Sequence, residues 1–282
     1  MWRACMLEDR TVAIIGAGNM AEALLRGLLG RGVAGPPRCI VANRSNDERL
    51  ARLAREWGVR TTRDKALLMD DGEIVILAVK PPDMTTVLGE IAPHANARHL
   101  VISVAAGVPI GVLEHHLGRV PAVRTMPNTS AAVQASVTAV SSGRFASHEH
   151  LAIVREIFEA VGWVTVVPES FLDVVTAVSG SGPAYIYMLA EAMVEAGERA
   201  GLPSDVARVM VAHTVLGAGK MLAETGDAPE ALRRRVTSPG GTTMAGVKAL
   251  EEGGVREAVH AAIVRAIRRA RELAGAPVRN PR

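Results

Sequence analysis

The sequence predicts an α/β protein, with an N-terminal doubly wound parallel sheet followed by an all-helical C-terminal domain. Three observations lead there. Short β-branched runs alternate with helical patterns through the first half of the chain, which implies crossover units and a parallel sheet. One of those runs, "VILAV" (75–79), has no polar alternation, as expected of a strand covered on both faces. After "WVTVVPES" (163–170) strand runs stop and Ala-rich helical segments take over.

The elements follow in order. "TVAII" (11–15) reads as a strand and leads into a helix reaching about residue 31. "CIVA" (39–42) is followed by the helical "DERLARLAREW" (47–57), and "EIVILAV" (73–79) by a segment starting at 81–83. "HLVISVA" (99–105) and "PAVRTM" (121–126) continue the series. Helices are then expected over 183–199, 203–224, 230–235 and 255–273, punctuated at 201–203 and 225–227 by Gly and Pro stops and starts. The texture change places the domain boundary near Pro168, giving domains 1–168 and 169–282. No internal repeat or low-complexity linker is visible. The segment "AYIYMLAEAMVEAG" (184–197) is apolar nearly all round. Such a helix requires burial on more than one side, met either by another subunit, the favoured reading, or by a well-covered monomer core.

Composition sets the outer limits. The 282 residues suffice for one large or two ordinary domains. Hydrophobic residues make up 49% and aromatics only 3%, so the core is built from aliphatic side chains. The Arg-rich stretches at 232–236 and 265–273 have no interleaved aromatics to stack on bases. With a net charge of only +3 they read as solvated faces or helix C-termini, not as a nucleic-acid surface. Cys5 and Cys39 supply neither a disulfide framework nor metal-ligand spacing, and no metal is expected. The N-terminus "MWRACMLEDR" is too short and too charged for a signal peptide. Residues 174–190 carry no charge, but "SGSGP" (179–183) interrupts them, so they read as a buried turn-plus-helix and not as a membrane span. The expectation is a soluble, cytoplasmic protein. His115, His116 and His213 suggest no chemistry in their contexts.

"VAIIGAGNMAEALLRGLLGRG" (12–32) is the most informative stretch. A strand turns sharply into a helix at Gly16-Ala17-Gly18. Gly16 permits the turn, and Gly18 lets the backbone approach a phosphate. The N–H groups of Asn19, Met20 and Ala21 then point toward the anion. Ala21 is an accepted small residue at the third glycine position. Alone the motif is weak, but its place after the first strand and inside a crossover unit is right for a Rossmann-type dinucleotide site. The second strand ends in Asn43-Arg44-Ser45. An NAD site offers a carboxylate there for the ribose 2′-hydroxyl, whereas Arg and Ser suit a 2′-phosphate. NADPH is therefore the expected cofactor, with NADH possible. The alternative is an ordinary surface Arg44. Two further loops, "AVKPPDM" (78–84) and "SVAAGVP" (103–109), lie at carboxyl ends of strands, where ligands of such sheets bind.

The ordered series "IGAGNMAEAL", "NRS", "AVKP", "AAGV", "RTMPNT", "SGSGPAYIY" and "VTSPGGTTMAGVKALEEGG" resembles pyrroline-5-carboxylate reductase over about residues 12–257. The resemblance implies an NAD(P)H-binding N-terminal domain and an all-helical C-terminal dimerisation domain. It further implies an interlocked homodimer, dimers that commonly assemble into decamers, and an active site between the cofactor domain and helices that include the partner's. Residue by residue, Ile15, Gly16, Ala17, Gly18, Asn19 and Met20 would cradle the pyrophosphate. Asn43, Arg44 and Ser45 would surround the 2′ position. Ala78, Val79, Lys80, Pro81, Val104, Ala105 and Ala106 would line the nicotinamide side, which Ser181 would approach. Glu169, Gly241, Thr242 and Thr243 would hold the substrate, with Thr243 near its ring nitrogen as the catalytic residue. Two positions depart from many relatives: Ser130 replaces a proline, and Lys65 replaces an asparagine that contacts the adenosine.

The implied reaction is reduction of the cyclic imine 1-pyrroline-5-carboxylate to proline. It needs a hydride at the imine carbon and a proton on nitrogen. A neutral hydroxyl at an already protonated nitrogen suffices, and "SPGGTT" (238–243) offers bare N–H groups before a helix expected to begin around Met244, suited to a carboxylate. Simpler roles stay open: Thr243 as a helix N-cap, Lys80 as a solvated turn residue, residues 179–183 as a plain helix start, and Glu169 as a cap for a helix near Phe171. Two rival readings fit the residues less well. A β-hydroxyacid dehydrogenase needs a lysine one turn after its second-domain glycine motif, and "SGSGPAYIYMLAEAM" has none. A redox-sensing binding protein would not need the intact "TSPGGTTMAG".

Overall fold

The computed structural model describes Leu7, residues 9–273 and Gly275. The chain forms two compact units, divided between Ser181 and Gly182 and again between Arg265 and Ala266. The sequence texture changes earlier, at the end of the last strand.

Among the described residues the first unit holds eight strands: β1 (Val12–Ile15), β2 (Cys39–Ala42), β3 (Arg60–Thr62), β4 (Ile74–Leu77), β5 (Leu100–Ser103), β6 (Ala122–Met126), β7 (Ser136–Ser142) and β8 (Gly162–Val166). Their order across the sheet is β3-β2-β1-β4-β5-β6-β7-β8. The chain starts in the middle at β1, winds out to β3, then returns past β1 to β4 and outward again. That reversal is the topological switch point, beside whose carboxyl ends ligands of doubly wound sheets bind.

Helices cover both faces: α1 (Asn19–Gly30), α2 (Asp47–Trp57), α3 (Lys65–Asp71), α4 (Met84–Ile91), α5 (Ile110–Leu117) and α6 (His148–Glu159). Successive residues of a strand point to opposite faces, so each strand feeds two cores. Val12 and Ile14 join Val41, Ile76 and Ile102 in one core with Leu24, Leu28, Ile153 and Phe158. Ala13 and Ile15 join Ile40, Val75 and Val101 in the other, with Leu68, Leu88 and Leu113. The run read as a two-sided strand, now β4, is covered on both sides, with Val75 and Leu77 in one core and Ile76 in the other.

The sheet departs from the expected all-parallel arrangement at one strand. β7 pairs antiparallel with β6, Val123 opposite Ser142 and Met126 opposite Ala139, and β8 then pairs parallel with β7. Only a 3-10 turn (Thr129–Val133) joins β6 to β7. A parallel return needs a crossover of a dozen or more residues, usually helical, and this connection is too short.

A short helix, α7 (Leu172–Val175), runs into a π-helical turn (Thr176–Gly180) just before the chain leaves the first unit after Ser181. The second unit contains α8 (Gly182–Arg199), α9 (Ser204–Thr225), α10 (Pro229–Arg235), α11 (Thr242–Glu252) and the first part of α12 (Val255–Leu273), whose last turns group with the first unit. Residues 174–190 were expected to be buried, and here the structure corrects the sequence. Ile186, Tyr187 and Met188 are 47%, 61% and 73% exposed. A hairpin of α8 and α9 offers no second layer to cover those faces. By length and composition α9 is apolar enough to cross a bilayer, yet Ala207 is its one buried residue.

Candidate functional site

The site starts from the glycine turn. The Gly16 N–H donates to Ala42 O at 2.8 Å, and the Ala78 N–H donates to Ile15 O at 2.8 Å, so three neighbouring strand ends are tied together. Gly16 has φ of +107°, and a Cβ there would lie 2.6 Å from the Ala78 carbonyl oxygen. Both conformation and space demand glycine. Gly18 is different. A Cβ there would meet nothing within 4 Å. Gly18 is the N-cap of α1 and supplies no side-chain acceptor, so the first-turn N–H groups are open to an outside partner. Ala21 is fully buried in the core, which explains its small size.

A cavity of about 300 Å³ opens at these strand ends. It gathers ten predicted residues: Ile15, Gly16, Ala17 and Gly18 from the turn, Asn43, Arg44 and Ser45 after β2, and Ala78, Val79 and Lys80 after β4. Asn43 Oδ1 accepts from the Ser45 and Asn46 N–H groups at 3.2 and 3.4 Å, which shapes the loop after β2. Asn46 in turn caps α2, accepting from Arg49 N at 2.9 Å. Glu22 anchors α2 to α1 through Arg49 and Arg52 at 2.8 and 2.7 Å. The Arg52 hydrogen bond, reinforced by the charges of Arg52, Arg49 and Arg26, holds the Glu22 carboxyl below its ordinary range against the effect of burial.

Other predicted residues lie outside this cavity. Asn19 Oδ1 accepts from Arg49 Nη2 at 3.4 Å, and Met20 packs on the core. Pro81 opens a 3-10 turn. Val104 donates to Leu77 O at 3.2 Å, while Ala105 is buried with its N–H on Ser103 Oγ. Ala106 follows in the same loop. Conversely, the cavity wall includes Arg63, Asp83, Thr86 and Glu90, which the sequence reading did not single out. Lys65, noted there as a departure, also lines it and pairs with Glu90 at 2.8 Å.

Ser181 ends the π-helical turn, its N–H on Thr176 O at 2.8 Å. Asn128 Nδ2 donates to Ser179 O at 3.2 Å and fastens that turn beyond β6. Glu169 faces α5: its Oε1 accepts from the Ile110 N–H at 2.7 Å and from Arg124 at 3.2 Å. The helix it caps is thus α5, not one near Phe171.

Gly241, Thr242 and Thr243 open α11 in the second unit. The helix begins at Thr242, earlier than expected, with Gly241 as its N-cap and no side-chain acceptor on its first-turn N–H groups. Thr243 therefore lies within the first turn, which removes the N-cap alternative. A further cavity, about 420 Å³ between α8 and α9, contains none of the predicted site residues.

The first cavity suits a phosphorylated dinucleotide. Its charged lining comprises four cations, Arg44, Arg63, Lys65 and Lys80, against two carboxylates, Asp83 and Glu90. Both carboxylates already face a cation, Asp83 on Arg44 at 4.0 Å and Glu90 on Lys65. Space over Gly18 and an uncapped helix start add an anion cradle.

Comparison with known proteins agrees with this geometry. Residues 169–273 match the family model for pyrroline-5-carboxylate reductase dimerisation, and residues 11–107 match that of coenzyme F420-dependent NADP oxidoreductases. Pyrroline-5-carboxylate reductase 2 of Bacillus subtilis is 42% identical over 265 residues, covering 94% of this chain and 95% of that protein. Among solved structures, a pyrroline-5-carboxylate reductase of Coxiella burnetii superposes with a TM-score of 0.88 at 38% identity, covering 95% of this chain and 99% of the other. The Plasmodium falciparum pyrroline carboxylate reductase, solved with NADP bound, gives 0.85 at 26% identity with the same coverage.

Proposed function

The chain belongs to the pyrroline-5-carboxylate reductase family, and we propose how its own residues carry out that reaction. The protein is an NAD(P)H-dependent oxidoreductase that reduces the cyclic imine 1-pyrroline-5-carboxylate to proline, the last step of proline synthesis. When bound, the cofactor supplies the hydride. In the substrate the C=N carbon gains that hydride and the protonated nitrogen becomes a secondary amine.

Gly16, Ala17 and Gly18 hold the pyrophosphate against the start of α1. Asn43, Arg44 and Ser45 receive the 2′-phosphate, and Ala78, Val79 and Lys80 flank the remainder of the dinucleotide. Thr243 presents its hydroxyl to the ring nitrogen, and the N–H groups at the start of α11 take the substrate carboxylate. Glu169 has a supporting role, since Arg124 and Ile110 already engage its carboxylate. The protein forms oligomers through its dimerisation domain. We take the unit to be a cytoplasmic homodimer built up into a decamer, with the exposed apolar residues of α8 and α9 covered by other copies.

The observation that carries the reading is the coexistence, at 42% identity over nearly the whole chain, of the phosphate-accepting glycine turn with the intact "SPGGTT" helix start. Following the loss of NADPH absorbance while adding the cyclic imine tests it. Stoichiometric conversion to proline is expected, and no reaction with the saturated ring. Folded protein that binds NADPH but leaves the imine untouched would refute it.

A further inference from the structure

We infer that Arg63 is a second specificity-determining cation of the 2′-phosphate subsite, acting beside Arg44. The inference rests on the reading above that the cavity takes a 2′-phosphorylated dinucleotide.

Strand register brings the two arginines together. β2 and β3 run parallel with Ala42 opposite Thr62. Arg44 follows Ala42 by two positions and Arg63 follows Thr62 directly, so both leave the sheet at the same edge. Both line the cavity. The backbone around Arg63 is fixed on either side. Thr62 Oγ1 accepts from the Asp64 N–H at 3.0 Å, and Asp64 Oδ1 caps α3 through the Ala66 and Leu67 N–H groups at 2.8 and 3.3 Å.

The guanidinium is held in place but not used up. Arg63 Nη2 donates to the Arg44 carbonyl at 2.8 Å, and Nη1 approaches Asp47 Oδ2 at 3.4 Å. An arginine has five N–H donors in a planar fork. The Arg63 side chain is 60% exposed and Asp47 69%, so their attraction is weak. A phosphate dianion entering between the arginines gains charge-assisted, planar contacts to both. NAD, which lacks the 2′-phosphate, gains neither.

Calorimetric titration with NADP+ and with NAD+ tests this on wild type, Arg63→Ala, Arg44→Ala and the double variant, with folding checked by circular dichroism. Arg63→Ala is expected to weaken NADP+ about tenfold, as for one lost charge-assisted bond, and to leave the NAD+ affinity unchanged. In the Arg44→Ala background the same change should weaken NADP+ further. Three results overturn the proposal: an equal loss for both dinucleotides, which makes Arg63 a brace of the loop after β2; no loss at all; or a loss that vanishes when Arg44 is absent, which makes it act only through Arg44. Failure of the underlying reading looks different. There wild type would hold NAD+ as tightly as NADP+ and Arg44→Ala would change neither, removing the subsite and this inference with it.

Discussion

Glu169 Oε1 accepts simultaneously from Arg124 Nη1 at 3.2 Å and from the Ile110 N–H at 2.7 Å. The Arg124 side chain is only 5% exposed and also approaches Asp173 at 3.6 Å. One carboxylate thus neutralises a buried guanidinium of β6 and satisfies an open donor at the start of α5. Glu169→Ala should lower unfolding stability by about 1–3 kcal/mol, since it strands the Ile110 N–H and leaves the buried Arg124 with Asp173 as its remaining carboxylate. Glu169→Gln keeps an acceptor and should lose less. Urea unfolding of both variants checks this. A tenfold rise in KM for the imine in a fully stable Glu169→Gln would instead put the carboxylate on the substrate.

The two glycines of the turn should separate folding from binding. Gly16→Ala drives a methyl into the Ala78 carbonyl at a positive φ, and should destabilise the first unit by about 2–4 kcal/mol. Gly18→Ala has room and should cost about 1 kcal/mol or less. On the proposed binding mode it should nonetheless weaken NADPH at least tenfold, because the methyl would occupy the space assigned there to the pyrophosphate. Thermal unfolding beside NADPH fluorescence titration distinguishes the two effects.

Cys39 is a free thiol in β2, fully buried, and burial pushes its pKa up to about 12. A thiol reacts as its thiolate. In a Cys5→Ser background the native protein should therefore resist a disulfide reagent at pH 8 and react fully once unfolded. Rapid native labelling would contradict the burial of β2.

α6 carries a pH-dependent cap. Ser147 Oγ accepts from the His150 N–H at 3.3 Å, while His150 Nδ1 accepts from the Ser147 N–H at 2.9 Å. Burial lowers the His150 pKa, opposed by the charge of Glu149 and assisted by that of Arg10. A depressed histidine pKa means the unfolded state binds more protons, so this contribution is fully present above the unfolded value near 6.5 and falls as pH drops toward the folded value. Between pH 7.5 and 5.5 wild type should lose more stability than His150→Gln. Equal slopes in parallel urea titrations would contradict the assignment.

Where the sequence was informative, the reason is local. β1, β2 and β4 are short aliphatic runs, and the turn at Gly16 depends on residues adjacent in the chain. β3 escaped notice because "RTT" is short and polar, and β7 because "SVTAVSS" mixes hydroxyl and aliphatic residues on both faces. The reversed direction of β7 follows from the length of a connection, which periodicity does not report. Arg63 is the same case in the site. Its neighbour Arg44 carries a motif, whereas Arg63 gains its meaning only from the register of β3 on β2. The exposed faces of α8 fit the favoured reading of cover by another subunit and not the alternative of a well-covered monomer core, since a sequence shows that a helix wants cover without showing which chain supplies it.

The most direct measurement is steady-state reduction of 1-pyrroline-5-carboxylate by NADPH with wild type and Thr243→Val, alongside the NADPH dissociation constant of each. Valine keeps the shape of threonine and removes only the hydroxyl. The expected result is rapid turnover by wild type and a loss of about 100-fold in kcat/KM for Thr243→Val, as for a removed transition-state hydrogen bond, with NADPH affinity unchanged. Undiminished turnover by Thr243→Val would take the hydroxyl out of the reaction, and a wild type that binds NADPH without reducing the imine would contradict the assignment as a whole.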